Sequence, residues 1–343
     1  INYFQTQNYR FLLPREENRR FINIVKEFIV KNSKLLRNLL KLVIAAGLIV
    51  FIVAYIKPSE IIETIITADP FLIFLVILIL PVNLFFQYNR WRIACRELLG
   101  VTDRRKVITS LFYGYSAGAF TPMRVGEYFG RSMAFKDKTL LNITIATVAD
   151  KIFPLLIVFY AGTFSLLLFL QFRYNLVLYV SLPILAVILI SFYFTIMLFL
   201  DADFWNNILF KKLKSFPRFY KLLQRFSVLK SLKKNVSAKM TLISIGQYIS
   251  FILQFALLAA AFSAKYNLIN FIWAGCLLMF AKTVIPPVTI GELGIREGAS
   301  VFFVTQLGGT AAAAFNASIF LFIINILIPS ALGMLLLLKN RDD

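Results

Sequence analysis

Histidine is absent from all 343 residues of the chain. Its absence removes the commonest metal ligand and the usual general base, together with the Ser-His and Cys-His dyads of nucleophilic enzymes. Only two cysteines are present, Cys95 and Cys276, and they do not have the spacing of metal ligands. We interpret both as small apolar residues. The sequence therefore predicts no metal site and no cofactor.

Acidic residues are scarce as well, because 17 Asp and Glu stand against 37 Lys and Arg, a formal net charge of +20. Charged residues of both signs make up 16% of the chain, whereas apolar residues make up 59%, and mean hydropathy is +0.76. These values indicate a polytopic membrane protein whose basic loops face the cytoplasm and anionic headgroups. Since the basic residues are dispersed between apolar runs, we do not expect nucleic acid as a partner.

Apolar segments recur along the whole chain and predict an all-α integral membrane protein of about eight membrane helices. A basic cytoplasmic arm at 1–38 precedes a membrane domain at 39–338, and a cytoplasmic tail follows at 339–343. We expect the cell (inner) membrane, with both termini in the cytoplasm. Six full crossings are predicted at 39–56, 71–88, 140–170, 176–200, 241–263 and 314–338, joined in part by a connection at 57–70 and a return segment at 299–310.

Two further segments, 107–120 and 268–285, are predicted to be broken or re-entrant. The first has fourteen residues, a helix of roughly 21 Å against a hydrocarbon core of about 30 Å. It would be reached from the cytoplasm and the second from outside, as in an inverted-topology repeat. The loop at 201–240 carries ten Lys or Arg and two Asp. Its pattern fits an amphipathic helix on the anionic inner leaflet or a solvated basic linker.

One ten-residue pattern follows each of these short segments, and its two copies lie 165 positions apart. A proline that breaks a helix leaves free N–H groups on the next turn, where an anion can bind, and an arginine adds forked donors for phosphate. Glutamate and arginine four positions apart could instead pair along a helix and only neutralise a buried turn. Both interpretations stay open. The copies supply Pro122, Gly126, Glu127 and Arg131, and Pro287, Gly291, Glu292 and Arg296.

Further charged or turn-forming residues stand in or near these copies. Arg124 is matched by Thr289 in the second copy, and Glu297 by Ser132 in the first. These positions would make the two halves differ in chemistry. Three more candidates are the pair Asp150-Lys151, Lys282 and Gly294. Asp150-Lys151 and Lys282 would either line a cavity or lie at a helix end near the interface, where lysine can reach water.

Together these elements resemble the lysylphosphatidylglycerol synthetase transmembrane region, also called the flippase-like domain family. The resemblance covers residues 39–338 and rests on the order and spacing of three elements: 122–131, Asp150-Lys151 and 286–298. Family members often have Arg in place of Lys151 and Gly-Gly in place of Gly291-Glu292. The resemblance implies the lipid-translocating part without the soluble synthetase domain that larger relatives carry.

We therefore hypothesise a flippase-like protein that binds a phospholipid or polyprenyl-phosphate lipid in a central polar cavity. Arg131 and Arg296 would hold the phosphate, while the glutamates balance charge or hold a cationic headgroup. Since no nucleotide-binding loop is evident, movement would be passive or ion-coupled. A membrane-embedded transferase with Asp150 or Glu127 as base is the alternative. A scaffold that recruits a separate soluble lipid-modifying enzyme through 201–240 is a third hypothesis.

Overall fold

The computed structural model describes residues 47, 49–50, 52–119, 121, 124–200, 234–263, 267–285 and 294–339. The predicted arm, all of the tail except Lys339 and most of the loop at 201–240 lie outside these residues, as does most of the first predicted crossing. Pro122, Pro287, Gly291 and Glu292 also lie outside them. Eleven helices are described: α1 Pro58–Ile66, α2 Pro70–Ala94, α3 Arg104–Ala119, α4 Gly126–Ser132, α5 Leu140–Tyr174, α6 Leu178–Leu200, α7 Lys234–Ala261, α8 Leu268–Val284, α9 Ile295–Gln306, α10 Ala311–Phe322 and α11 Ile328–Lys339.

Five helical stretches in the described ranges are long and apolar enough to cross a membrane. Two of them continue through π turns, at Cys95–Leu99 after α2 and at Ile323–Leu327 between α10 and α11. No strand occurs in the described part of the chain. The prediction of an all-α membrane protein is confirmed. The stretches are 70–99, 140–174, 178–197, 234–261 and 311–339.

The chain between the first two predicted crossings is itself helical, although a simple connection was expected there. Helix α1 begins at Pro58, at a position where the missing N–H of proline costs no hydrogen bond. After α1, Asp69 caps α2 by accepting hydrogen bonds from the N–H groups of Phe71 and Leu72 at 2.9 and 3.4 Å. These local signals begin both helices.

Helices at corresponding positions of the two halves are related by the same 165-residue offset as the repeated pattern. Helix α2 corresponds to α7, α3 to α8, α4 to the start of α9, and α5 to α10 with α11. Helices α2 and α7 pack along each other in opposite directions: the Asp69 N–H donates to the Ala261 carbonyl at 3.0 Å, and near the other end Arg90 donates to Gln247. Equivalent helices that run antiparallel are what an inverted repeat requires.

Each short helix packs against the long helix of the other half. Ser116 Oγ on α3 donates to the Ser330 carbonyl on α11 at 2.7 Å, and Ser330 Oγ donates back to the Tyr115 carbonyl at 3.1 Å. In the same way, Trp273 Nε1 on α8 donates to the Ser165 carbonyl on α5 at 3.1 Å. The two halves are therefore interlocked.

A buried amide network joins α2, α7 and the π turn before α11. Asn83 Nδ2 donates to Asn325 Oδ1 at 3.0 Å, and Asn325 Nδ2 donates to Gln254 Oε1 at 2.9 Å. Gln254 Nε2 in turn donates to the Val76 carbonyl at 2.9 Å. All three amide side chains are buried. The network fixes the relative position of three helices beside the candidate site.

Replacing Gln254 by leucine is expected to lower the free energy of unfolding by about 1–3 kcal/mol, since the buried amides of Asn83 and Asn325 each lose one acceptor. The thermal unfolding midpoint of the purified protein in detergent measures the change. Gln306→Leu is the matched control, because Gln306 makes a surface hydrogen bond to Arg173 and its loss should change stability by roughly 0.5 kcal/mol or less. Equal midpoints for the two variants would contradict the prediction.

Candidate functional site

Helices α3 and α4 form a tight hairpin that positions the first copy of the repeated pattern. Gly126 and Gly130 allow the close approach, because a Cβ atom at these positions would lie 2.1 Å from the Ala117 carbonyl oxygen and 2.2 Å from that of Tyr113. Thr121 Oγ1 accepts a hydrogen bond from the Gly126 N–H at 2.8 Å, which closes the turn. The short helix α4 therefore presents one face to the interior of the protein.

Glu127 on that face is surrounded by three cations from different parts of the chain. Lys151 Nζ lies 2.7 Å from its carboxylate, Arg131 Nη2 2.8 Å and Arg124 Nη2 3.6 Å. The predicted pairing of Glu127 with Arg131 four positions later is confirmed. Arg124 reaches the carboxylate from the turn, where it has a φ of 54°. One buried carboxylate thus joins the turn, α4 and α5.

Asp150 joins a second pair of arginines. Arg90 Nε donates to Asp150 Oδ1 at 2.7 Å, and Arg131 Nη1 donates to Asp150 Oδ2 at 2.9 Å. The side chain of Asp150 is 1% exposed. The interpretation of this position as the end of a short helix is wrong, because α5 continues through it from Leu140 to Tyr174.

The second copy of the pattern contributes Arg296 at the start of α9. Gly294 precedes it with a φ of 91°, a conformation that favours glycine. Glu297 lies directly behind Arg296, where it accepts hydrogen bonds from Arg296 Nε at 3.0 Å and from the Gly294 N–H at 2.6 Å. The guanidinium also lies over the Phe322 ring at 4.5 Å. Arg296 is thus held by a carboxylate on its own helix, while its predicted partner Glu292 lies outside the described residues.

These groups converge on one cavity of about 320 Å³ between the two halves of the repeat. Among its described lining residues, six side chains are cationic and two are anionic. Glu297 is fully buried and is not among those residues. The cationic lining residues are Arg90, Arg124, Arg131, Lys151, Lys282 and Arg296, and the anionic ones are Glu127 and Asp150.

The rest of the wall is made of apolar and aromatic side chains together with four uncharged polar ones, Gln87, Gln247, Thr283 and Asn325. Tyr115 lies 5.4 Å below the Arg124 guanidinium, and Trp91, just outside the lining, lies 4.0 Å from that of Arg131. Such contacts between a cation and an aromatic ring are strongest where water is excluded. In the part of the chain that is described, no group of His, Cys, Asp and Glu is placed to hold a metal ion. The site is chemically a cationic cavity with apolar walls.

Comparison with known families identifies the family of the chain. A model of the lysylphosphatidylglycerol synthase TM region matches residues 38–333, most of the chain. The chain belongs to this family. No curated protein matches the chain. Membership of the lysylphosphatidylglycerol synthase TM region family indicates a multi-pass membrane protein related to phospholipid metabolism.

In this member of the lysylphosphatidylglycerol synthase TM region family, the sequence patterns did not reveal every residue of the cavity. Arg90 stands with Arg92 and Arg96 directly after the apolar run 71–88, where the positive-inside rule predicts a cytoplasmic loop, but its side chain is buried and bonded to Asp150 and Gln247. The sequence does contain a signal that Arg90 belongs to the cavity, because Asn83, Gln87 and Arg90 are spaced by four and three positions on α2. That spacing places them on one face of an otherwise apolar helix.

Proposed function

We propose that the protein binds a phosphate-bearing lipid by its headgroup in the cavity and moves it between the leaflets of the membrane. The observation that carries the proposal is the excess of cationic over anionic side chains in the wall. Six cations against two anions would be costly at membrane depth without a negatively charged ligand or water. Arginine, which supplies four of the six, binds phosphate oxygens through paired N–H groups.

The apolar part of the wall supports a lipid as the source of the phosphate. Leu155 and Val158 on α5 and Ile326 in the π turn are apolar residues of the cavity lining. The Leu155 side chain lies at the edge of the cavity and is exposed. Acyl or prenyl chains can lie along such a surface while the headgroup stays among the cations, as in other ligand sites where a few polar groups fix orientation.

The inverted repeat supports movement of the bound lipid rather than binding alone. Each half supplies one broken segment to the cavity: the hairpin of α3 and α4 brings Arg131, and α8 with α9 brings Lys282 and Arg296. Since these segments enter from corresponding positions of two inverted halves, rocking of one half against the other would open the cavity to each leaflet in turn.

The same proposal includes an orientation and two kinds of partner. The protein would lie in the cell membrane with its termini and the loop at 201–240 in the cytoplasm, where that basic loop contacts the anionic inner leaflet. A separate soluble lipid-modifying enzyme would supply or use the lipid that the cavity transports. Without such an enzyme, the purified protein should still exchange lipid.

Leaflet exchange of labelled phospholipid in proteoliposomes tests the proposal. The wild-type protein is expected to accelerate exchange over empty liposomes, and Arg124→Gln is expected to slow it by about tenfold, since one charge-assisted contact to phosphate is lost. Arg124 is suited to the test because it is partly exposed, so that folding should tolerate the change.

Arg96→Gln is the matched control for Arg124→Gln. Arg96 is exposed and pairs only with Glu97 among its described contacts, so its exchange rate should equal that of the wild type. Exchange no faster than in empty liposomes, across lipids with anionic and zwitterionic headgroups, would overturn the proposed function.

A further inference from the structure

The net charge of the cavity indicates a narrower class of ligand than phosphate-bearing lipids in general. Among the described lining residues the cations exceed the anions by four. Glu297 lies just behind Arg296 and reduces the excess to three. An excess of three positive charges is balanced more fully by a doubly charged anion than by a singly charged one.

The carboxylates of the cavity are already occupied by cations of the protein. Both oxygens of Asp150 accept hydrogen bonds from arginines, at 2.7 and 2.9 Å. Glu127 has Lys151 and Arg131 within 2.8 Å and Arg124 at 3.6 Å. A positively charged headgroup would therefore meet two or more cations beside each of the two carboxylates in the described wall, Glu127 and Asp150. Like charges at such distances repel strongly where the dielectric constant is low.

Lipid headgroups differ in the charge that they would bring to this site. A phosphodiester carries one negative charge, and a choline or ethanolamine ester cancels it with an ammonium group. A phosphomonoester carries about −1.5 to −2 at pH 7 and offers three acceptor oxygens. Of these headgroups, the phosphomonoester best balances the excess of positive charge and needs no unoccupied carboxylate in the described wall.

We propose that the ligand of this cavity is a lipid phosphomonoester, an acyl or prenyl chain that ends in a doubly charged phosphate. The inference rests on the proposed binding site and names the class of lipid that it takes. Cations from both halves would surround the phosphate: Arg124 and Lys151 from one side, Lys282 and Arg296 from the other. The apolar wall around Leu155 and Ile326 would contact the first part of the chain.

Calorimetric titration of the full chain in an uncharged detergent tests the proposal with three water-soluble lipids that share the same dioctanoyl tails. Phosphatidic acid is expected to bind at least about tenfold more tightly than phosphatidylmethanol, which has one charge less and one methyl group more. Phosphatidylcholine is expected to bind more weakly than either. Equal affinity for phosphatidic acid and phosphatidylmethanol, or tighter binding of phosphatidylcholine, would overturn the proposal.

Inorganic phosphate distinguishes a lipid headgroup from a free anion. It carries the same charge without chains, so it should bind more weakly than phosphatidic acid by at least about tenfold, the contribution of the apolar wall. Equal affinity for the two would overturn the lipid part of the proposal.

Two lysine variants test whether binding occurs in this cavity. Lys282→Gln should reduce the preference for phosphatidic acid over phosphatidylmethanol, because one cation of the wall is lost. Lys239→Gln removes the same charge from an exposed position on α7 and should leave the preference unchanged. An unchanged affinity and preference in Lys282→Gln would overturn the assignment to the cavity.

Failure of this proposal and failure of the proposed function give different results. If lipids exchange between leaflets but phosphatidylmethanol binds as tightly as phosphatidic acid, the charge class is wrong and the transport function stands. If phosphatidic acid binds selectively but no lipid exchanges, the transport function is wrong and the charge class stands.

Discussion

Replacing Asp150 by asparagine is expected to lower the free energy of unfolding by about 3–5 kcal/mol, because a buried ion network loses one of its two carboxylates. Asp150 accepts hydrogen bonds from Arg90 and Arg131, whose side chains are nearly as buried as its own. Asparagine has almost the same shape but no charge. Arg90 would then have no described carboxylate in contact. Chemical denaturation of the purified protein in detergent measures the loss.

Asp137→Asn is the control for this prediction. Asp137 is exposed and lies 3.9 Å from Lys138, and loss of such a surface pair changes stability by about 0–1 kcal/mol. A double variant, Asp150→Asn with Arg90→Gln, is expected to regain part of the lost stability, since it removes one of the uncompensated charges. Should Asp150→Asn unfold at the same denaturant concentration as the wild type, the ion network does not stabilise the fold.

Gly130→Ala is expected to disrupt the hairpin of α3 and α4 at a cost of about 3 kcal/mol, at the upper end of the usual range for overpacking. The added Cβ would lie 2.2 Å from the Tyr113 carbonyl oxygen and 2.9 Å from the Ala117 Cβ. Because one of these neighbours is a backbone atom and the other is a Cβ atom, no side-chain rotation can relieve the contact. Helix α4 must move away from α3, and Arg131 moves with it. Lipid exchange in proteoliposomes should fall to the rate of empty liposomes.

Gly298→Ala is the matched control, since Gly298 is also helical and, among the described atoms, its added Cβ would approach only Ile52 Cδ1, at 3.8 Å. Alanine is favoured over glycine within a helix by about 1 kcal/mol, so this variant should be as stable as the wild type or more stable. If Gly130→Ala instead unfolds at the same temperature as Gly298→Ala, the close approach of α3 and α4 is not required.

Local patterns in the sequence predicted the membrane class and the pairing of Glu127 with Arg131. Both depend on residues close together in the chain: apolar runs long enough for a helix, and an acid and a base one helical turn apart. The same reasoning did not find that the connection at 57–70 forms α1, because a short amphipathic helix between two apolar runs has no distinctive length.

Contacts between distant parts of the chain could not be predicted in this way. Arg90 lies 60 positions from Asp150 and 157 from Gln247, its two hydrogen-bond partners. In sequence it stands at the end of an apolar run and next to loop arginines, where the positive-inside rule applies. Only the packing of α2 against α5 and α7 shows that it belongs to the cavity.

The repeat predicted two similar halves, but the charges are distributed unequally between them. At an offset of 165, Asp150 and Lys151 correspond to Phe315 and Asn316. Asn316 donates to the Ile61 carbonyl on α1 rather than to a group in the cavity. The first half therefore supplies both anions of the described wall. These positions lie outside the repeated pattern of ten residues, so the pattern could not predict which residues occupy them.

Because each half packs against a helix of the other half, the order in which the helices are synthesised affects folding. Helix α3 carries the first part of the site, but its hydrogen-bond partner Ser330 lies on α11, which is synthesised long after α3. Gly333 shows how closely the two pack, since a Cβ there would lie 2.2 Å from the Phe112 carbonyl oxygen. The hairpin of α3 and α4, with its arginines inserted, must therefore remain in the membrane without its α11 partner while about 200 further residues are synthesised. At 5–20 residues per second this takes roughly 10–40 s, during which Glu127 and Asp150 of the first half can already balance the arginines, while the face of α3 that packs on α11 stays uncovered.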